Sequence, residues 1–468
     1  MSEFRVIQQA YRFALAPTPA QEQFLSACCG ASRFWWNQGL ALVKERLDQR
    51  AIDADVDVPW SYKSLCVAFR GDAIKDRLAP WRGEVVTGSY QAGLEALGRA
   101  LQNFSKAKAA GRHVAFPRFR AKGRCHEAVF FQRPRLPDNR HVDLDRRLQP
   151  IRTKESLRKL TRLLASDSKA RVMRATVQRT SGGWVISFSV ERSPKRRRPR
   201  KPHAAVGVDL GLTRLATLST GQVAPSARPL RAALRSLRRL RRRLDRQRRA
   251  NDQGNYLPDG RIKAGRGRWV KSKRMLRTEE RVRRLHAHIA NLRREQAHQL
   301  TTALTGEFGV IGVETLAVEN LLRNRRLARN IADVGWGTIL AQLAYKTSWS
   351  DGSLLVAVDR FYPSSKTCSA CGAVRAKLRL AERVFSCQAC GHAQDRDLNA
   401  ALNLAHMAQR HAKAEGIQSY VARTGRFTPI ARGGQVSLVA RDQHSPMKRE
   451  ASTDASRHRE APAFAANG

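Results

Sequence analysis

Apolar residues in this chain keep two rhythms. Trp184, Ile186, Phe188 and Val190 alternate with Val185, Ser187 and Ser189, the period-two pattern of a strand with one face buried. With the run 171–178 on the far side of Ser181-Gly182-Gly183, they predict a hairpin. The second rhythm has three- and four-residue steps. Leu230, Leu234, Leu237, Leu240 and Leu244 keep it, and so do Val282, Leu285, Ile289 and Leu292. Each series predicts an amphipathic helix, and the glycine-rich, basic stretch 251–267 between them predicts that the pair forms a helical hairpin. Two short apolar runs end on an acid: Val206-Gly207-Val208-Asp209 and Val310-Ile311-Gly312-Val313-Glu314.

Around these landmarks the rest of the chain falls into order. A strand is expected over residues 4–15, then a helix whose start is written as Thr18-Pro19-Ala20-Gln21, a capping box with proline in the first turn. Phe24, Leu25, Cys28, Phe34 and Trp35 continue it as a helix or helix pair to about Leu47. Cys28 and Cys29 read as buried thiols. Residues 60–110 read as helical, with Trp60 and Trp81 as core aromatics rather than base stackers. The block 116–191 reads as mostly strand, in the manner of a small barrel. Further strands are expected at Leu215–Ser219 and Ser353–Val358, and a helix around Trp336, Ile339, Leu340 and Leu343.

Charge narrows the function. The 468 residues carry 87 Lys+Arg against 39 Asp+Glu, a formal net charge of +48. A surface this basic repels itself unless an anion offsets it, and the polyanion that fits is nucleic acid. Between residues 228 and 249 there are eleven arginines against the single Asp245, so this helix is expected to face phosphate, with Arg238, Arg239 and Arg242 as candidate contacts. Arg118, Arg120 and Lys122 are candidates in a second basic stretch. The run 192–202 reads as a basic linker. No apolar run approaches the ~20 residues of a membrane span, and the first residues lack a signal-peptide pattern. A reducing, cytosolic setting is therefore expected, in which the eight cysteines are thiols or metal ligands rather than disulfides.

Candidate chemistry gathers at residues 368–403. Cys368-x-x-Cys371 and Cys387-x-x-Cys390 are 15 residues apart, each pair followed by a glycine (Gly372, Gly391). This is zinc-ribbon spacing, with four thiolates for one structural zinc ion; His392 reads as a bystander. Asp395-Arg396-Asp397-Leu398-Asn399-Ala400-Ala401 follows directly and opens a helix. A downstream acid joined to the two strand-ending acids points to a metal-dependent nuclease. Phosphodiester hydrolysis can be run by two divalent ions ~4 Å apart, and Mg²⁺ prefers carboxylate oxygens.

The stretches 11–21 (YRFALAPTPAQ), 33–40 (RFWWNQGL), 207–212 (GVDLGL), 312–316 (GVETL), 361–372 (FYPSSKTCSACG) and 395–404 (DRDLNAALNL) resemble TnpB, the transposon-encoded RNA-guided DNA endonuclease family related to type V CRISPR effectors. The order of the elements from residue 203 onward likewise resembles the RNase H-like fold. The resemblance implies an α/β multidomain protein. Its parts would be a wedge-like β-barrel (1–16 and 116–191) interrupted by a helical recognition lobe (17–115), the basic linker 192–202, a RuvC-like nuclease domain (203–364 and 394–415) with an inserted helical hairpin, and a zinc ribbon (365–393). Residues 406–468 match nothing in the family, and 416–468 are expected to be a disordered tail.

The same resemblance implies that Asp209, Glu314 and Asp397 are the catalytic ligands of two Mg²⁺ ions, with Asp395 and Glu319 the weaker alternatives. It further implies a guide RNA and target double-stranded DNA as partners, cleavage beside a short flanking motif, and a prokaryotic, nucleoid-associated location. Two other readings remain at this stage: a nuclease-inactive RNA-guided repressor, and a guide-independent DNA-binding or transposition accessory protein.

Overall fold

The computed structural model describes residues 6–421, apart from 124, 126, 194–197, 266–268 and 380. The chain divides into two compact units. The first holds β1 (Ile7–Ala16), α1 (Pro19–Arg50), α2 (Tyr62–Ala68), α3 (Asp72–Leu78), α4 (Thr87–Ala109), β2 (Glu127–Phe131), β3 (His141–Val142), β4 (Ile151–Thr153), α5 (Arg158–Ser166), β5 (Arg171–Thr180) and β6 (Gly183–Arg192). It also takes α6 (Pro229–Asn251) and the part of α7 (Lys273–Glu307) up to Leu292.

The alternating residues of β6 behave as their period requires: Trp184, Ile186, Phe188 and Val190 are buried, and β6 pairs antiparallel with β5 and with β1. The six strands run in the order β2-β5-β6-β1-β4-β3. No pairing joins β2 to β3 among the described residues, so the expected barrel is present in part, as a half-barrel sheet open between those two strands. Strand alternation encodes which face is buried; it does not encode closure, which depends on the two end strands meeting.

α1 is one helix rather than a pair. Its capping box is formed, with Gln21 N–H donating to Thr18 Oγ1 at 3.4 Å and Thr18 N–H to Gln21 Oε1 at 2.9 Å. α1 packs on α4 through Trp35, Trp36, Leu40, Leu94, Leu97 and Leu101, with Trp60 and Trp81 half-buried at the edge of that core. At the base of the expected hairpin, Asn251 Nδ2 donates to Ser272 Oγ at 3.1 Å and Val270 N–H to Asp252 Oδ1 at 2.9 Å. These bonds bring the end of α6 to the start of α7.

The second unit is a mixed α/β layer structure. Its strands are β7 (Lys201–Asp209), β8 (Arg214–Leu218), β9 (Val223–Pro225), β10 (Phe308–Glu314) and β11 (Leu354–Val358), in the order β11-β10-β7-β8-β9. β7, β8 and β9 form an antiparallel meander, and β10 and β11 run parallel to β7. Val206, Val208, Ile311 and Val313 face one core, made with the end of α7, α9 (Ala328–Val334) and α10 (Trp336–Trp349). The short α8 (Val318–Leu322) follows β10. Ala205 and Val310 face the other core, under α11 (Arg396–Ala414). Before α11 come β12 (Val384–Ser386) and β13 (Ala393–Asp395), a two-stranded ribbon.

Disorder was expected from residue 416, but β14 (Tyr420–Val421) pairs in parallel with Ala204 and Ala205 of β7. Residues 422–468, the rest of the expected tail, lie outside the described residues. No helix among the described residues is long and apolar enough to cross a membrane.

Candidate active site

Two glycines bring the three acids to one corner. Gly207 of β7 and Gly312 of β10 are register partners in the parallel pair. A Cβ on Gly207 would lie 1.8 Å from Ala401 O, and one on Gly312 would lie 2.5 Å from Leu404 O. The backbone of α11 therefore rests directly on the two strands, at positions where any side chain would hold it off. Side chains alternate along a strand, so Asp209, two residues beyond Gly207, and Glu314, two beyond Gly312, are on the face that α11 covers. On α11, Asp397 is one turn ahead of Ala401 and shares its face. Strand period and helix period thus place all three carboxylates beyond the same edge of the glycine seat.

The start of α11 is fixed by Asp395, whose Oδ1 accepts from Asp397 N–H at 3.0 Å and Leu398 N–H at 3.1 Å. Asp395 is thus the helix cap and Asp397 lies in the first turn. Arg214, at the start of β8, reaches both: its Nη1 lies 2.9 Å from Asp395 Oδ2 and 3.8 Å from Asp397 Oδ2.

The electrostatics record the crowding. Burial, then the charges of Asp397 and Glu314, push the Asp209 carboxyl up to about 7, against a weaker opposing pull from Arg396. Burial also raises Glu314, opposed by a hydrogen bond from the Ser364 side chain. Carboxylates in such company bind a proton or a cation, and the all-oxygen donor set suits Mg²⁺. Glu319, the alternative to Glu314, lies in α8 beyond the end of the strand. The carboxylates do not crowd as tightly as the cysteines, the one group of three or more potential ligands among the described residues whose donor atoms all lie within 4.8 Å of one another.

The four cysteines form a closed set. Cys368 and Cys390 place their sulfurs 3.7 Å apart, and Cys371 and Cys387 place theirs 3.6 Å apart. A tetrahedral zinc with ~2.3 Å Zn–S bonds separates its sulfurs by about 3.8 Å, so the cluster fits the ion. The knuckle turns need the positive φ of Gly372 (79°) and Gly391 (70°). The Cys387 thiol is drawn down to about 6, chiefly by the Cys390 backbone hydrogen bond. Cys387→Ser is expected to remove about one zinc per chain and to lower the melting temperature. Metal analysis and a thermal melt on the same preparation check this, and unchanged zinc content would refute the ligand set.

Two asparagines that periodicity does not flag tie this module to α11. Asn399 Nδ2 donates to Thr367 O at 2.7 Å, and its Oδ1 accepts from Ser369 N–H at 3.0 Å. Asn403 Nδ2 donates to Ser364 O at 2.8 Å and Thr367 O at 2.6 Å. Both residues are buried. The available signal was two buried-type amides four residues apart in an alanine- and leucine-rich helix, since such groups are buried only when paired.

Among the nucleic-acid candidates, Arg118, Lys122, Arg238, Arg239 and Arg242 are exposed. Arg120 is different. Its guanidinium lies 3.4 Å over the Trp36 ring, and its backbone N–H and O both bond the Asn37 side chain. It is a packing residue rather than a free phosphate contact.

Three family models match the chain: "Probable transposase" over residues 187–325, "Cas12f1-like, TNB domain" over 336–404, and "Helix-turn-helix domain" over 1–51. The last name does not describe the geometry, which is a strand followed by one continuous helix. A Mycobacterium tuberculosis protein called an RNA-guided DNA endonuclease is 34% identical over 426 residues, covering 85% of this chain and 86% of that protein. An Escherichia coli protein so called, InsQ, is 30% identical over 421 residues, covering 86% and 92%. A solved complex of Cas12f1 with sgRNA and target DNA is 14% identical with a TM-score of 0.41, covering 86% of this chain and 99% of that one.

Proposed function

Because the chain belongs to the TnpB family of RNA-guided DNA endonucleases associated with transposons, we propose that Asp209, Glu314 and Asp397 are its cutting site. The observation that carries this reading is the seat of α11 on Gly207 and Gly312, which turns three acids distant in sequence into neighbours. The order β9-β8-β7-β10-β11, a meander followed by two parallel strands, supports an RNase H-like, RuvC-like nuclease domain.

In such a site two Mg²⁺ ions would supply positive charge to the attacking and departing oxygens of an in-line phosphoryl displacement. The residues' own work is positional. β7 and β10 fix Asp209 and Glu314 side by side, Asp395 fixes the first turn of α11, and Ser364 orients Glu314 by hydrogen bonding. The zinc module, held by Asn399 and Asn403, braces the same helix.

Division of labour accounts for the basic surface. Pairing with a guide RNA selects the target, while arginines such as Arg238, Arg239 and Arg242 hold backbone phosphates without reading sequence. The repressor reading is not favoured, since all three acids are present and the relatives are called endonucleases.

The test is to purify the protein with its RNA, exchange the guide segment, and supply plasmids matching either guide. Cutting should follow the guide and stop on chelation of magnesium. Cutting indifferent to the guide, or surviving EDTA, would overturn the proposal.

A further inference from the structure

Phe361 is 78% exposed, on the loop between β11 and the zinc module. Single exposed apolar side chains are ordinary on protein surfaces, but this one is held by built geometry. Phe361 N–H donates to Asp359 Oδ1 at 2.7 Å, Tyr362 N–H to Asp359 O at 3.1 Å, and Ser364 N–H to Tyr362 O at 2.8 Å. The Arg360 guanidinium lies 4.5 Å over the ring.

The loop also belongs to the acidic corner. It leaves β11 at Val358, the register partner of Glu314, and it ends at Ser364, whose side chain bonds Glu314. Only Tyr362 and Pro363 lie between Phe361 and that serine, so their two Cα atoms are at most ~11 Å apart along extended chain.

Resting on the nuclease reading above, we propose that Phe361 is a stacking platform for an unpaired base of the DNA strand being cut, with Arg360 beside it for the adjoining phosphate. Stacking suits an enzyme whose target is chosen by a guide. Every base offers a π face, so an aromatic ring holds whichever nucleotide arrives, and a flanking arginine adds attraction for the backbone. Held a few nucleotides from the carboxylates, a stacked base would fix the strand's path through the site without reading its sequence.

The test pairs a protein change with a DNA change. Phe361→Ala in the RNA-loaded protein should cut matched DNA about tenfold more slowly, equivalent to ~1.4 kcal/mol, while gel shifts on the same DNA stay at wild-type affinity. Phe361→Trp should restore the rate. An abasic nucleotide stepped through the cut region should slow the wild-type protein at one or two positions and leave Phe361→Ala unaffected there, the signature of a shared contact. Wild-type cutting by Phe361→Ala, or an abasic effect of equal size in both proteins, would overturn the inference while leaving the nuclease assignment standing. Loss of copurifying RNA from Phe361→Ala would also overturn it, assigning the ring to the guide.

Discussion

Asp209→Asn is expected to slow cutting by about 10²–10³-fold and, at the same time, to make the metal-free protein harder to melt. The first half follows from removing a proposed metal ligand: a single pre-organised group that stabilises transition-state charge is typically worth about 10²–10³ in rate. The second half follows from the crowding that pushes the Asp209 carboxyl up to about 7. An acid with a raised pKa keeps, in the folded state, a proton that the unfolded chain has already released. Folding stability therefore falls as pH rises from ~4 to ~7, and the whole penalty is present above that window. Asparagine has nothing to ionise and escapes the penalty. At ~1.4 kcal/mol per pKa unit, the rise from 3.8 to about 7 sets an upper bound of about 4 kcal/mol on the gain at pH 8 in EDTA. At pH 5 the gap should narrow, because wild-type Asp209 is protonated there. Cutting at the wild-type rate, or a melting difference of the same size at both pH values, would refute this account.

The second large effect needs no change in chemistry. Gly207→Val puts a branched side chain where even a Cβ lies 1.8 Å from Ala401 O and 2.5 Å from Ala405 N. Both neighbours are helix backbone, so the only relief is to lift α11. Overpacking of this kind commonly costs about 1–3 kcal/mol and more where backbone must move. Since α11 carries Asp397, cutting should fall with stability. The control is Gly337→Ala, in α10, where no atom beyond its chain neighbours and the helix's own backbone lies within 4 Å of the added carbon; it should melt and cut like the wild type. Parallel melts and cleavage assays decide the matter. A Gly207→Val protein that is fully active would mean the helix is not seated as described.

How much of this was legible in the sequence depends on the range of the signal. The capping box at Thr18, the β5–β6 hairpin and the two runs that stop at Asp209 and Glu314 are local, and local periodicity finds them. The cysteine spacing is equally local. Gly207 and Gly312 are another matter: within a strand, a glycine reads as weakness or a bulge, and its meaning here depends on a helix nearly two hundred residues beyond Gly207. Arg214 and Arg120 show the same limit from the side of charge. Each is one arginine among many in the sequence; only folded contacts show that one reaches Asp395 and Asp397 while the other lies flat on an indole. The open edge of the first sheet and the short pairing of β14 with β7 were likewise set by which segments meet, information that alternation does not carry.

The glycine seat has a consequence for the order in which the enzyme is made. Chains leave the ribosome from the N-terminus at roughly 5–20 residues per second, so β7 and β10 emerge well before the helix that covers them. Until α11 has been synthesised, their glycine-lined face has no lid, and Asp209 and Glu314 have no third acid beside them. If the proposed site does the cutting, the nascent polypeptide therefore cannot cleave nucleic acid until α11 has emerged and settled on that face.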